Sequence, residues 1–159
     1  MDMRKVFLFC VCFGVAGARA QTAAGTPGQT SADSVKAVIN ALFDAMRRSD
    51  SAGISGCFST GALLQTAIER GEGVHIQTDS ISVFAHIISS LPVGAADERP
   101  RLDVVKADGP LATVWAPYRF IYKGTLHHCG VDSFQLVRIN GIWKIQYILD
   151  TEHKYGCPD

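Results

Sequence analysis

Apolar positions recur along this chain with two different periods, and the change of period marks its elements. From Ser31 or Asp33 onward, Val35, Val38, Ile39, Leu42, Phe43 and Met46 fall at helical spacing. Ser or Asp suits the start of that helix and Arg47-Arg48 its last turn. A short second helix is expected at about 51–57, then a small hairpin of 62–69 and 74–77 around Gly71–Gly73. Asp79 or Ser80 caps a further helix with Ile81, Phe84, Ile87 and Leu91 on one face, ending at Pro92. Residues 93–100 read as a polar loop and 101–107 as a strand, which Asp108-Gly109 turns into a strand over 111–123.

The period then becomes two. Asn140-Gly141 lies between runs rich in β-branched and aromatic residues, and both residues tolerate the positive φ that a tight hairpin turn requires. A two-residue loop there sets Ile139 opposite Ile142, Leu136 opposite Ile145, Phe134 opposite Tyr147 and Asp132 opposite Leu149. Lys123-Gly124 or Gly124-Thr125 can close the hairpin upstream. Either choice places the odd residues of 113–121 on the face of the even residues of 128–136, because side chains alternate along a strand. The more apolar face then carries Trp115, Arg119, His128, Asp132, Phe134, Trp143, Tyr147 and Leu149, and is read as the inner one. The other carries Tyr118, Phe120, Tyr122, Cys129, Val131, Gln135, Gln146 and Asp150.

Charge and termini change the picture in one respect, the compartment. Arg4 and Lys5 precede an apolar run over 6–15, and Ala18-Arg19-Ala20 has the small-residue cleavage pattern. Residues 1–20 thus read as a secretory signal peptide, too short an apolar run to span a bilayer of roughly 30 Å. A Thr/Gly/Gln/Ser-rich tract over 21–31 reads as a flexible linker, and 32–157 as a single domain with no internal repeat. Of the 15 basic and 15 acidic residues, the leader takes Arg4, Lys5, Arg19 and Asp2, leaving 12 against 14. Such a balance points to no nucleic acid and no anionic membrane surface, and no integral membrane segment is expected after cleavage. The mature cysteines are Cys57, Cys129 and Cys157. In an exported chain this odd number suggests a Cys129–Cys157 bridge with Cys57 a small buried apolar residue; the alternative is that all three stay reduced.

Three ionisable groups, Arg119, His128 and Asp132, are embedded in the inner face. They must pair or face a cavity. His128 and Asp132 stand roughly 13 Å apart at about 3.3 Å per residue, so a ligand or Arg119 must lie between them. One reading makes Asp132 or His128 a general base and Arg119 the holder of an anionic or carbonyl oxygen. The other is an Arg119–Asp132 ion pair with His128 at the solvent edge. Trp115, Phe134 and Tyr147 line a ligand pocket or simply fill the core. No metal is expected at His127-His128 with His153: adjacent histidines in a strand point to opposite faces, and no carboxylate or Cys completes a ligand set. No cofactor is implied.

The order helix, helix, strand, strand, helix and four strands resembles the nuclear transport factor 2-like superfamily, the cone-shaped α+β (cystatin-like) fold of ketosteroid isomerase and SnoaL-like cyclases. The segments VWAPYRF, HCGVDSFQLVR, WKI, DT and GC look like its secreted, poorly characterised bacterial members. The resemblance covers roughly 32–157 and implies N-terminal helices packed on a curved, mostly antiparallel sheet, a pocket in the cone and frequent homodimerisation through the outer face. Its catalytic members place an Asp or His in the pocket as a general base, the positions matched here by Asp132 and His128. Two functions follow as expectations: an exported domain (periplasm or extracellular) binding a small molecule, with isomerase- or lyase-like acid/base chemistry, or a non-catalytic interaction module. The second would use Tyr118, Phe120, Tyr122, Val131, Gln135 and Gln146 to dimerise or dock.

Overall fold

A computed structural model of the protein describes residues 31–158. The expected signal peptide and residues 21–30 of the linker lie outside them. Two helices, α1 (Ser31–Arg47) and α2 (Ser51–Cys57), lead into a hairpin of β1 (Phe58–Arg70) and β2 (Gly73–Asp79). A third helix, α3 (Ile81–Ser89), precedes five strands: β3 (Ala96–Pro100), β4 (Val104–Asp108), β5 (Leu111–Tyr122), β6 (Thr125–Ile139) and β7 (Ile142–Thr151). The α+β class and the helix–helix–strand–strand–helix order are as expected.

Local chemistry fixes the helices. Val35, Ile39, Leu42, Phe43 and Met46 are buried on one stripe of α1. Asp50 caps α2 by accepting from the Gly53 amide at 2.8 Å, and Ser80 caps α3 by accepting from Val83 at 3.2 Å. Of the expected α3 face, Ile81, Phe84 and Leu91 pack partly buried against the core, but the most buried positions are others. Ala85 and Ile88 are buried, whereas Ile87 is 52% exposed.

The strands form one seven-stranded sheet in the order β2-β1-β7-β6-β5-β3, with β4 also on β5. Every pairing is antiparallel except β1 with β7. The helices pack over one face, α1 against β3, β4 and β7, and α3 against β1. Residues 96–100, expected as loop, are an edge strand on β5 with Glu98 opposite Phe120 and Arg99 opposite Arg119. Backbone pairing with β5 overrides their polar composition, and Pro100 sits at the strand's end, where a missing N–H costs little.

Both tight turns are present. Tyr122 faces Thr125 across Lys123-Gly124, and Ile139 faces Ile142 across Asn140-Gly141, all four turn residues having positive φ. Two one-residue bulges nevertheless overturn part of the face assignment. In β6, Ile121 pairs with Leu126 but Phe120 with His128, which leaves His127 as the extra residue. In β7, Leu136 pairs with Ile145 but Gln135 with Tyr147, which leaves Gln146 extra. A one-residue slip sends every later side chain to the opposite face. The inner face of β5 is therefore Ala112, Val114, Ala116, Tyr118 and Phe120, and that of β7 is Trp143, Ile145, Ile148 and Asp150. Phe134 lies opposite Ile148 and Asp132 opposite Asp150, in place of Tyr147 and Leu149.

Beyond β7 the chain continues alongside β6. Cys129 and His153 exchange backbone hydrogen bonds of 3.0 and 2.8 Å, and Cys129 is bridged to Cys157 as expected. Cys57 is buried and unbridged among the described residues. Gly130 makes this closure possible: a Cβ there would lie 1.8 Å from the Thr151 carbonyl oxygen and 3.0 Å from the Tyr118 ring. That oxygen accepts from the Tyr118 hydroxyl at 2.9 Å. Because backbone, not a flexible side-chain tip, would have to move, Gly130→Ala is expected to cost on the order of 3 kcal/mol. That corresponds to a fall of about 10 °C in a thermal melt. A midpoint matching wild type would show that β7 does not end against Gly130.

Candidate functional site

The inner sheet face and the helices enclose a cavity of about 220 Å³. Its apolar wall combines Leu42, Phe43 and Met46 of α1, Phe84 and Ile88 of α3, and Leu64, Phe120, Phe134 and Ile148 of the sheet. Phe134 is fully buried and meets Phe43 edge to face at 6.3 Å. The polar lining is Thr66, Asp79, Glu98, Tyr118, His128, Asp132 and Asp150. Among the described residues no Lys or Arg lines it.

Asp132 sits in the middle of β6 and is 5% exposed, and its Oδ2 has no hydrogen-bond partner among the described residues. The other close carboxyl is that of half-buried Glu98, which enters from β3 and hydrogen-bonds to Asp132. Burial raises Asp132 well above the usual carboxylate range, and the charge of Glu98 and the bond to it raise it further. Burial likewise pushes Glu98 up to about 8, opposed by the bond from Asp132. The two groups titrate as a pair that retains a proton at neutral pH.

The surrounding groups reinforce this. Asp150, across from Asp132, is raised mainly by burial, against a hydrogen bond from Thr66, and its buried Oδ1 is unpartnered among the described residues. Burial, then the nearby charges of Glu98, Asp150 and Asp132, holds Tyr118 firmly in its phenol form. His128 stacks on Phe120 at 4.8 Å and meets Tyr118 edge-on at 5.7 Å. Its burial lowers the imidazole pKa, against the attraction of Glu152 at 3.9 Å.

Of the residues singled out in the sequence, the cavity brings together Asp132, His128 and Phe134. It does not include Arg119, Trp115 or Tyr147. The His127 bulge turns Trp115 outward, 55% exposed. It also sends Arg119 to the outer surface, into a crevice with Arg99, Arg101 and Pro158. The Gln146 bulge turns Tyr147 outward, where its hydroxyl donates to Gln65 at 2.6 Å. Arg119 and Asp132 therefore lie on opposite faces and do not pair. Tyr118 and Phe120, read as outer-face residues, line the cavity, as does Asp150. Glu98 was missed because it lies in a stretch without apolar periodicity. The faint signal was the alternation of Ala96, Glu98 and Pro100 with Asp97 and Arg99, whose side chains pair on the outside at 2.7 Å. The premise against metal at His127-His128 also fails, since the bulge brings the two rings together, Nδ1 to Nδ1 at 2.9 Å.

No family model matches the chain, and no curated protein does. Solved structures do. A nuclear transport factor 2-like protein of unknown function from Shewanella baltica OS155 superposes with a TM-score of 0.60 and 14% identity, over 77% of this chain and 93% of its own. A domain of unknown function with a cystatin-like fold from Nostoc punctiforme gives 0.63 and 20%, over 80% and 82%. Another nuclear transport factor 2-like protein of unknown function, from Methylobacillus flagellatus, gives 0.58 and 16%, over 76% and 90%. The chain has the nuclear transport factor 2-like, cystatin-like fold.

The raised carboxyls make stability fall as pH rises. Below their unfolded values, 3.8 for Asp132 and 4.5 for Glu98, both groups are protonated in either state and their contribution is complete. Between there and the folded value of about 8 for Glu98, the native protein holds protons that the unfolded chain has lost, so stability declines. Melts from pH 5 to pH 8 should show a fall of at least about 5 °C, and Asp132→Asn should flatten it. Parallel curves for wild type and variant would show that the pair does not store a proton.

Proposed function

We propose that this protein is an exported binding domain for a compact, mostly apolar molecule carrying a basic nitrogen or another hydrogen-bond donor. Its Asp132–Glu98 pair would exchange a proton with the bound molecule. One observation carries the reading: a pair of proton-sharing carboxyls lies in a cavity with a broad apolar wall, and no Lys or Arg lines it among the described residues. Anionic ligands are disfavoured there by Glu98, Asp132 and Asp150 together. A donor is favoured, because the buried oxygens Asp132 Oδ2 and Asp150 Oδ1 lack partners and leaving such atoms unmade costs about 1–3 kcal/mol each. Proton transfer to or from a substrate is the chemistry such a pair supports, since a carboxyl tuned near neutral pH serves as acid or base. Asp132 is the group placed to move the proton, Glu98 tunes it, and His128 stands at the cavity's edge. Export by the leader over 1–20 agrees with the Cys129–Cys157 bridge, a bond that persists in oxidising compartments. Residues 32–157 would then be the working domain.

A second observation bears on assembly. Trp115 and Val104 are cross-strand partners on the outer face, 55% and 47% exposed, an apolar pair of the kind that self-association covers. It supports a homodimer through the outer face, on residues other than the mixed set read from the sequence. Trp115→Glu should reduce a sedimenting dimer to monomer at micromolar concentration. Sedimentation identical to wild type would remove Trp115 from any interface.

The ligand reading is tested with three probes of one shape and different charge: 2-phenylethylamine, 2-phenylethanol and phenylacetate. Calorimetry at pH 7 should rank the amine first, the alcohol second and the acid last. Ammonium binding should also release up to one proton per chain, read from the dependence of the heat on the buffer's ionisation enthalpy. Asp132→Asn should abolish both the preference and the release. Tighter binding of phenylacetate, or amine binding without proton release, would overturn the proposal.

A further inference from the structure

Outside the carboxyl pair, the structure gathers a second set of chemistry-bearing side chains. His127, His128 and Glu152 each present a donor atom, and the three atoms lie within 4.8 Å of one another. The two imidazoles face each other through Nδ1 at 2.9 Å, and His128 Nδ1 is 3.9 Å from a Glu152 oxygen. Adjacent strand residues ordinarily diverge; these converge because His127 is the bulged residue, so both histidines stand against Phe120. Tyr122 also flanks His127, at 6.3 Å. Glu152 is brought to them by the antiparallel pairing of Cys129 with His153, next in sequence to His128 and Glu152 respectively.

We propose that His127, His128 and Glu152 form a binding site for a divalent transition-metal ion of the zinc type. Two imidazole nitrogens and one carboxylate oxygen are a donor set that zinc and its neighbours in the first row accept, with further coordination positions left for water or ligand. Zn–N bonds of about 2.0–2.1 Å put two nitrogens on a tetrahedral ion roughly 3.3 Å apart. The observed spacing approaches this, so side-chain rotation, not backbone movement, completes the set. His128 is held between Phe120 and Tyr118, and the disulfide anchors the tail segment carrying Glu152. His128 also lines the cavity, so an ion held here would border it. This site stands on its own residues and does not depend on what the carboxyl pair binds.

The test uses full-length mature protein without a polyhistidine tag, stripped with chelator and titrated with ZnCl₂. Calorimetry with elemental analysis should give one zinc per chain. His127→Ala and His128→Ala should each weaken it at least about tenfold, and Glu152→Gln by a comparable factor. His75→Ala and His153→Ala, which alter exposed histidines outside the cluster, should leave the affinity unchanged. Because His128 is half-buried and its variant can disturb folding, Co²⁺ is added to wild type as a second measurement. A visible absorption band displaced by one equivalent of Zn²⁺ is expected. Zinc uptake that survives the His127→Ala/His128→Ala double variant, or that is lost with His153→Ala, would overturn the site, as would a Co²⁺ titration with no such band.

Discussion

A single extra residue in β6 decides what kind of cavity this sheet can build. Between Leu126 and His128 the ladder with β5 slips by one, and from there every β5 side chain exchanges faces. Tyr118 and Phe120 come inward, while Trp115 and Arg119 go out. Without that slip the Arg119 guanidinium would share the inner face with Asp132. The second slip, at Gln146, acts in the same direction by bringing Ile148 and Asp150 inward and sending Tyr147 out. The acidic, cation-free character of the cavity is thus a property of backbone register before it is a property of side chains. Bulges also bend the strands that carry them, which suits a sheet that must fold over α1 and α3.

The interior that results is not the most stable one available. Burying carboxyls away from cations costs free energy, and the molecule limits that cost by keeping the Asp132–Glu98 pair protonated. The apolar stripe of α1 against Phe134, Leu136 and Ile145 offsets the rest, all of these side chains being fully or almost fully buried. A well-packed hydrophobic substitute for Asp132 would serve stability better, since buried polar groups are costly wherever partners are missing. Retaining Asp132, with one oxygen unpartnered, is intelligible if that oxygen waits for a ligand's donor.

Much of this was legible in the residues, for identifiable reasons. The α1 stripe, both two-residue turns and the Cys129–Cys157 bridge rest on local chemistry: helical spacing, residues that tolerate positive φ, and a tail after the last hairpin that can fold back towards Cys129. Asp132, His128 and Phe134 were placed correctly because they share one strand and parity within a strand is secure. Arg119, Trp115 and Tyr147 were not, because their relation to β6 passes through a bulge, and neither His127 nor Gln146 is a residue type that announces one. Glu98 was hidden for a different reason. Its strand is held by backbone pairing at the sheet edge, so its side chains carry only a faint alternation and no apolar pattern to read.

The same slip that set the cavity's charge also set its rim, and the tail completes it. The register of Asp132 with Asp150 continues without interruption to Cys129 with His153, so Glu152 follows Asp150 at a spacing of two and keeps its face. Nothing in β7 itself holds the chain there past Thr151. Two backbone hydrogen bonds and a disulfide do so, closing a separation of 28 residues, and a bridge across a loop of that size contributes on the order of 3 kcal/mol by limiting the unfolded chain. In a reducing compartment the tail would keep only the two hydrogen bonds, and Glu152 would lose its fixed position beside His128. Oxidation therefore does more than stabilise the fold: it fixes Glu152 beside His128 at the outer edge of the cavity.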